Sequence, residues 1–332
     1  MIKTSLFLTG GTGFFGKSIL QGLLDGQLNA GHLTILSRNP NTFLDANAPF
    51  RNITNLSFIQ GDIRTFDFPK EKFDFIIHAA TPASATLEQQ NPDEMRSIIV
   101  DGTRHVLDFA KQCECKRFLM TSSGAVYGVQ PPELTHIPET FPCHPVSAYG
   151  KGKMEAEQMC IEAGEKQGFA ALIARCFAFV GPFLPLDTHF AVGNFMGDCL
   201  KNRPIIIQGD GTPLRSYLYA TDLVEWLFKI LLQGTHGRPY NVGADTPISI
   251  CNLAHLVRQC AGTSNEIIIQ KPSPHSCGSC HSDAETAPSR YIPSIERARD
   301  ELGLTPAVSL TDAIQRTLAW HRTTHLNSIS IR

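Results

Sequence analysis

The sequence has no run of about 20 apolar residues, so no stretch of it reads as a membrane-spanning helix. It also lacks an excess of either charge. Twenty-nine Lys and Arg stand against 31 Asp and Glu, for a formal net charge of −2. That balance removes the electrostatic footprint of a nucleic-acid or membrane-surface binder, so no nucleic-acid partner and no membrane partner is expected. Only one lysine precedes the first strand-like run, which leaves no room for a removable leader and makes the cytoplasm the expected location. No internal repeat breaks up the 332 residues, and about two domains are expected from that length. A composition 42% hydrophobic and 18% charged suits a globular protein with a sizeable core.

Ten cysteines are present, and in such a chain they read as reduced, scattered and mostly buried. Cys277-Gly-Ser-Cys280-His281, with His275 nearby, has metal-like spacing, but no fourth ligand can be placed. The surrounding Pro272–Ser289 is rich in Ser, Pro and His and reads as a surface loop. No metal site is expected.

What is there begins at the N-terminus. Ile2–Thr9 is an apolar run of strand formers that breaks into Gly10, Gly13 and Gly16, and Lys17–Leu24 then takes up helical spacing. A strand, a glycine turn and a helix in that order suit a dinucleotide pyrophosphate: the turn admits phosphates close to the backbone, and the helix end offers free N–H groups. The spacing is G-x-x-G-x-x-G. His32–Ser37 is a second strand, ending in Ser37-Arg38, where an acidic residue would bind a ribose 2′-hydroxyl. Ser37 and Arg38 can hold a 2′-phosphate instead, so of NAD and NADP the reading leans to NADP. Leu56–Gln60 is a third strand, followed by Asp62-Ile63, where the Asp can accept a hydrogen bond from an adenine amino group. Phe73–Ala80 is a continuous apolar strand of the kind buried in a parallel sheet, and its small Ala79-Ala80 pair lets a cofactor pass closely. Glu94–Gln112 is helical and Arg117–Ser122 is the next strand. This alternation predicts an α/β fold with a doubly wound parallel sheet, a Rossmann arrangement.

The chemistry follows in Ser122-Ser123-Gly124-Ala125-Val126-Tyr127 and in Tyr149-Gly-Lys-Gly-Lys153, which opens a helix. Tyr149 and Lys153 are four apart and share a helix face. An ammonium beside a phenol favours the phenolate, which can exchange a proton with a sugar hydroxyl, while Ser123 holds the same oxygen.

With these motifs in order, the chain resembles the extended short-chain dehydrogenase/reductase family of NAD(P)-dependent nucleotide-sugar epimerases, dehydratases and reductases. The resemblance implies cofactor contacts from Gly10, Thr12, Gly13, Phe14, Phe15, Gly16, Ser37, Arg38, Asp62, Ile63, Ala79, Ala80, Tyr149 and Lys153. It implies a catalytic set of Ser123, Tyr149 and Lys153, with substrate contacts from Thr81, Ser123, Asn194 and Arg215. Ile173–Pro182, the segment from Gly209 to Asp222 and Tyr240–Gly243 match further stretches of the pattern. Arg215 is the residue expected on the substrate diphosphate, because a guanidinium fits phosphate oxygens in bidentate geometry. Three positions depart from the pattern: Ile99 and Ala178 stand where Asn is usual, and Gly124-Ala125 replace the Asp-Glu of the 4,6-dehydratases. The last departure argues against a dehydratase.

The expected architecture is a dinucleotide-binding unit over 1–180, with segments near 210–245 returning to its sheet, and a smaller mixed lobe over 181–332. In that lobe His189–Leu200, Asp222–Leu232 (with Thr221 as N-cap), Ile250–Cys260 and Leu310–His321 read as helices, and Pro204–Gln208 and Glu266–Gln270 as strands. The expected activity is a nucleotide-sugar epimerase working by transient oxidation at C4, with an NADPH-dependent ketosugar reductase or dehydrogenase as the alternative. A non-catalytic NADP-binding sensor is a third possibility, although such proteins commonly lack the Tyr-Lys pair that this chain keeps. A nucleotide-diphosphate sugar is the expected partner, and the resemblance allows a homodimer.

Overall fold

The computed structural model describes residues 5–28, 31–82, 84–188, 190–271 and 288–329. The Cys277–Cys280 motif, His275 and His281 lie outside the described residues. Apolar runs give the first six strands: β1 (Ser5–Thr9), β2 (His32–Ser37), β3 (Leu56–Gln60), β4 (Phe75–His78), β5 (Arg117–Ser123) and β6 (Ala170–Cys176). Between them lie α1 (Phe14–Leu24), α2 (Pro40–Ala46), α3 (Ala85–Gln90), α4 (Pro92–Gln112) and α5 (Ala148–Gln167). Beyond β6 come the short strands β7 (Phe179–Val180), β8 (Ile205–Ile207), β9 (Leu214–Arg215) and β10 (Leu218–Tyr219), then β11 (Pro239–Val242). The chain continues with β12 (Ile248–Ser249), β13 (Ile267–Ile269) and β14 (Arg290–Tyr291). The helices of this half are α6 (Ala191–Leu200), α7 (Ala220–Gln233), α8 (Ile250–Ala261), α9 (Glu296–Leu302) and α10 (Leu310–Ile329).

Seven strands form one sheet in the order β11-β6-β5-β4-β1-β2-β3, with every pairing parallel. The strand order reverses between β1 and β4, so a crevice opens outside their C-terminal ends, where ligands of such sheets bind. Alternation along β1 sends Leu6 and Leu8 into a core with Ile19, Leu20, Trp226 and Leu227 of α1 and α7. Phe7 faces the opposite core, with Val106 and Phe109 of α4 and Ala156 of α5. The return of β11 to the edge of the sheet puts a late segment beside β6, while β9 and β10 pair in smaller sheets. A third core, containing Val192, Met196, Leu253, Val257 and Ile314, joins α6, α8 and α10.

Three local expectations are corrected. The run Phe73–Ala80 pairs as a strand only over Phe75–His78, because the Ala79 and Ala80 amides turn to the Thr9 hydroxyl at 3.2 and 3.1 Å. Thr221 is not the cap of α7: β10 runs directly into the helix, Tyr219 holds the cap position without a side-chain bond, and Thr221 lies exposed inside the first turn. Among the cysteines, Cys113, Cys115, Cys143, Cys160, Cys176, Cys199 and Cys260 are free, whereas Cys251 is disulfide-bonded, so the expectation of reduced thiols throughout does not hold.

Close backbone packing sets the start of α1. A Cβ at Gly16 would sit 2.2 Å from the Gly11 Cα. Gly16→Ala is therefore expected to lower stability by about 1–3 kcal/mol, the usual cost of forcing atoms into a packed site. Urea denaturation checks this, and an unchanged midpoint would contradict it.

Candidate active site

At the switch point Gly10 takes φ +74°, and a Cβ there would lie 2.5 Å from the Ala79 carbonyl. The ends of β1 and β4 thus meet with no side chain between them. Gly13 ends the turn as the N-cap of α1, with its N–H on the Gly10 carbonyl at 3.1 Å and no side-chain cap. The first amides of α1 are thereby left to a ligand, with the positive end of the helix dipole behind them. Phe14 and Phe15 open α1 and lean on Phe179 at 6.4 and 5.2 Å, while Thr12 lies in the turn itself. This small-residue cradle fits a pyrophosphate.

His78 fastens the cradle from below. It is buried between two threonines, Thr9 Oγ1 at 2.9 Å from Nδ1 and Thr103 Oγ1 at 3.0 Å from Nε2. The Thr103 hydroxyl donates to the Ile99 carbonyl at 2.6 Å, so its oxygen accepts from Nε2. Nδ1 then accepts from Thr9, whose oxygen accepts the Ala79 and Ala80 amides. The Thr9 hydroxyl thus accepts two amides and donates once, to Nδ1. Burial, helped by the Lys153 charge, lowers the imidazole pKa to about 3, so it stays neutral.

On the adenosine side, Ser37 is buried and accepts the Asn39 amide, while Arg38 is exposed. Asp62 accepts from the Arg64 amide at 3.0 Å and from its Nε at 3.2 Å, and Arg64 also reaches Glu94 at 3.0 Å. Burial works against the Asp62 carboxylate, yet the Arg64 bonds prevail and its pKa is lowered. Ile63 is buried against Gly102.

Ser123 ends β5 and caps a short 3₁₀ turn, taking the Ala125 amide at 3.2 Å. Its hydroxyl also faces the Tyr149 phenol and favours the ionised form. Tyr149 lies in the first turn of α5, which Ser147 caps through the Gly150 amide at 3.0 Å. One turn on, Lys153 is 2% exposed, with Nζ 2.6 Å from Thr81 Oγ1 and 2.7 Å from the Thr121 carbonyl. Its Nζ stands 5.9 Å from the Tyr149 ring centroid. Burial lowers the Lys153 pKa to about 8 and raises that of Tyr149 to about 12, the Ser123 hydroxyl opposing the latter. Instead of the lowering expected from the ammonium, burial sets the direction of the phenol. Thr81, expected to face substrate, here accepts from Lys153.

Behind these residues runs a buried polar network. Glu157, one turn beyond Lys153, accepts from Ser122 and pairs with Arg175 at 2.7 Å. Arg175 bonds the Tyr127 hydroxyl at 3.0 Å, which donates to Asn241 Oδ1 at 2.7 Å. Burial opposes the Arg175 charge, but the Glu157 bonds overcome it and its pKa is raised. The network ties β5, β6, β11 and α5 into one block.

On the far side, Arg215 is half-buried and bonds the carbonyls of Leu214 and Ser289 at 2.8 and 3.4 Å. Asn194 Oδ1 is buried with no hydrogen-bond partner among the described residues, an unmet acceptor. Ile99 lies in the core, and the Ala178 carbonyl accepts the Leu218 amide at 3.0 Å.

Two further residues were not foreseen. Tyr291 of β14 faces Ser123, and its ring lies 4.7 Å from that of Phe177. A Cβ at Gly124 would stand 2.7 Å from its hydroxyl. Burial raises the Tyr291 pKa. Glu88 of α3 accepts the Tyr149 amide at 2.9 Å. Glu157 could have been found from the spacing Tyr149, Lys153, Glu157, but no local pattern marks Tyr291 or Glu88.

A glycine cradle at a parallel-sheet switch point, beside a Ser, Tyr and Lys constellation, defines a dinucleotide-dependent protein built for chemistry on a hydroxyl-bearing carbon. The chain matches the NAD dependent epimerase/dehydratase family over residues 6–243 and belongs to it. It is an enzyme of a NAD-dependent family acting on nucleotide sugars. Among relatives, UDP-glucuronic acid decarboxylase 1 of Arabidopsis thaliana is 29% identical, over 98% of this chain and 71% of that protein. The fold resembles UDP-N-acetylglucosamine 4-epimerase of Methanobrevibacter ruminantium M1, solved with UDP-N-acetylmuramic acid (TM-score 0.84, 20% identity, 98% and 100% of the two chains). It also resembles UDP-glucuronic acid 4-epimerase of Bacillus cereus, solved with UDP-glucuronic acid and NAD (TM-score 0.82, 22% identity, 96% and 99%). Among the described residues, no helix is long and apolar enough to cross a membrane, and no group of three metal-binding side chains is present.

The buried His78 makes stability depend on acid. Its folded pKa lies below the unfolded value near 6.5, so its full contribution is present above about pH 6.5. That contribution falls by roughly 1.4 kcal/mol for each pH unit below, down to about pH 3. His78→Gln is expected to be less stable at pH 7 yet flatter between pH 6.5 and 4, as read by urea melts. Parallel pH dependences in the two proteins would rule this out.

Proposed function

We propose that the enzyme is an epimerase that inverts C4 of a nucleoside-diphosphate hexose through a transient 4-keto sugar. The observation that carries the reading is the buried Lys153 beside the Tyr149 ring and next to the nucleotide cradle, with Ser123 facing the phenol and Gly124 and Ala125 in place of acidic residues. Without an acid there, nothing next to Ser123 is placed to protonate a leaving hydroxyl, which disfavours dehydration. A bound nicotinamide dinucleotide would supply a reversible hydride acceptor, held by Gly10, Thr12, Gly13, Phe14, Phe15 and Gly16 at its pyrophosphate and by Ala79, Ala80 and Lys153 near its nicotinamide end. Asp62 and Ile63 serve the adenine. Tyr149 takes the proton from the sugar hydroxyl on oxidation and returns it on reduction. Ser123 orients that oxygen, and Lys153 supplies the positive charge that supports the phenolate. Arg215, with its half-buried guanidinium, holds the nucleotide diphosphate, and Asn194, with its unmet acceptor, takes a hydrogen bond from a substrate donor, making residues 181–332 the substrate lobe. Cytoplasmic location and pairing of two copies through α4 and α5 belong to the same reading.

A second reading rests on Ser37 and Arg38: with no acidic residue at the end of β2, NADP can be held there, which suits a ketosugar reductase. The Arabidopsis relative suggests a third product class, a decarboxylated sugar. NAD-loaded protein incubated with UDP-glucose, UDP-galactose, UDP-glucuronic acid or dTDP-glucose, followed by NMR and nicotinamide absorbance, separates them. The proposal expects an epimer and no net absorbance change. Stoichiometric loss of NADPH absorbance on an NDP-4-keto sugar would replace it with the reductase, and carbon dioxide from UDP-glucuronic acid with the decarboxylase.

The variants follow from the same geometry. Tyr149→Phe should lower kcat by about 10²–10⁴-fold with cofactor binding retained. Tyr291→Phe, which removes the hydroxyl beside Ser123 and Gly124, should cost roughly five- to tenfold. Oxidation needs the ionised phenol, so kcat/KM should rise with pH. It should bend over near pH 8 as Lys153 loses its proton, and the bend should vanish in Lys153→Met. A pH profile identical in Lys153→Met would refute that assignment.

A further inference from the structure

The connection from β4 to α4 touches both members of the Tyr149–Lys153 pair. Thr81 takes the Lys153 ammonium at 2.6 Å, and Glu88, two turns of chain later, takes the Tyr149 amide at 2.9 Å. The same connection begins at Ala79 and Ala80, whose amides are fixed by Thr9 in the nucleotide cradle. Ser84 caps α3 through the Leu87 amide at 3.1 Å and so sets the start of the short helix that bears Glu88.

The first amides of a helix have no partner within it, and each needs an outside acceptor. In α5 the Gly150 amide is served locally by Ser147, while the Tyr149 amide is served from another element. A local cap fixes where a helix begins. An acceptor from a separate segment also fixes where that beginning lies against the rest of the fold. For α5 the residue so placed is the one whose phenol meets Ser123.

We propose that Glu88 is a positioning residue for catalysis, its carboxylate seating the start of α5 so that the Tyr149 phenol stays on Ser123. The proposal rests on Tyr149 being the acid/base. The charge of Glu88 cannot be what the reaction uses, because it disfavours the phenolate and adds to the upward shift of Tyr149. The phenol is faced by Ser123 from β5, Cys176 from β6, Lys153 from α5, Tyr291 from β14 and Glu88 from α3. Of these, Glu88 is the one that bonds the Tyr149 main chain. The contribution of Glu88 is therefore geometric, and charge and acceptor can be separated by substitution.

Glu88→Gln keeps an acceptor oxygen and drops the charge, whereas Glu88→Ala drops both. The full-length variants are compared on whichever of UDP-glucose, UDP-galactose, UDP-glucuronic acid and dTDP-glucose the wild type turns over, with NAD present. Hydrogen exchange over residues 147–151 is followed in parallel and needs no substrate. Glu88→Ala is expected to lose protection at the Tyr149 amide and to show kcat lowered about five- to tenfold, the scale of a lost cap, with the dissociation constants of NAD and of the sugar nucleotide unchanged. Glu88→Gln is expected to keep the protection and most of kcat, with the rising limb of its pH profile moved to lower pH. Wild-type kcat and protection in Glu88→Ala, or equal impairment in both variants, overturns the proposal. Tyr149→Phe is the control for the underlying reading: full activity there removes Tyr149 as the acid/base, while the exchange result still decides whether Glu88 seats α5.

Discussion

The structure depends on the meeting of two strand ends. β1 and β4 lie side by side at the point where the sheet reverses its order, and Gly10 passes the Ala79 carbonyl with no room for a side chain. Two parallel strands that end there leave amides unpaired, and Thr9 takes those of Ala79 and Ala80. His78 completes the arrangement from within the core, and Thr103 carries it into α4. A floor for phosphates is thus held by a connected set of hydrogen bonds centred on Thr9. A neutral imidazole suits this place, since an imidazolium would have to donate at both nitrogens and Thr9 would then lose its acceptor.

The second constraint is the block formed by Glu157, Arg175, Tyr127 and Asn241. Burying an ion pair brings little net stability when desolvation is counted, but breaking one is expensive. Such a block resists small displacements. It anchors the middle of α5 to β5, β6 and β11, while the start of α5 is held from α3. Catalytic geometry needs only a few tenths of an ångström of control, and attachments at two points along one helix supply more than either could alone.

Much of this was legible in the sequence where the information was local. The run ending at Thr9, the glycine spacing and the following helix depend on neighbours a few residues apart, and β1, its turn and α1 lie where that pattern puts them. Tyr149 and Lys153 could be paired from their spacing alone. The ends of elements were less legible. Phe73–Ala80 looks like one strand, but its last amides belong to Thr9, a residue of another segment, and the start of α7 was set by β10 rather than by the hydroxyl of Thr221. The contacts of Thr81, Glu88 and Tyr291 could not be read, because each joins side chains from separate parts of the chain and leaves no periodic trace. The electrostatic balance at Tyr149 was hidden for the same reason: the spacing shows an ammonium nearby, but only packing shows how far burial counters it.

The small sheet β12-β9-β14 has a consequence of its own. Arg215 and Tyr291 are register partners across β9 and β14, so their side chains leave the sheet on the same face. A slip of one residue between those strands would put the two side chains on opposite faces. The guanidinium and the second phenol therefore share a face only in this register. Drift in this lobe can replace either side chain, but a change of register would part them. Diversification of this chain's relatives should then proceed by exchanging residues at the two positions rather than by shifting the strands that carry them.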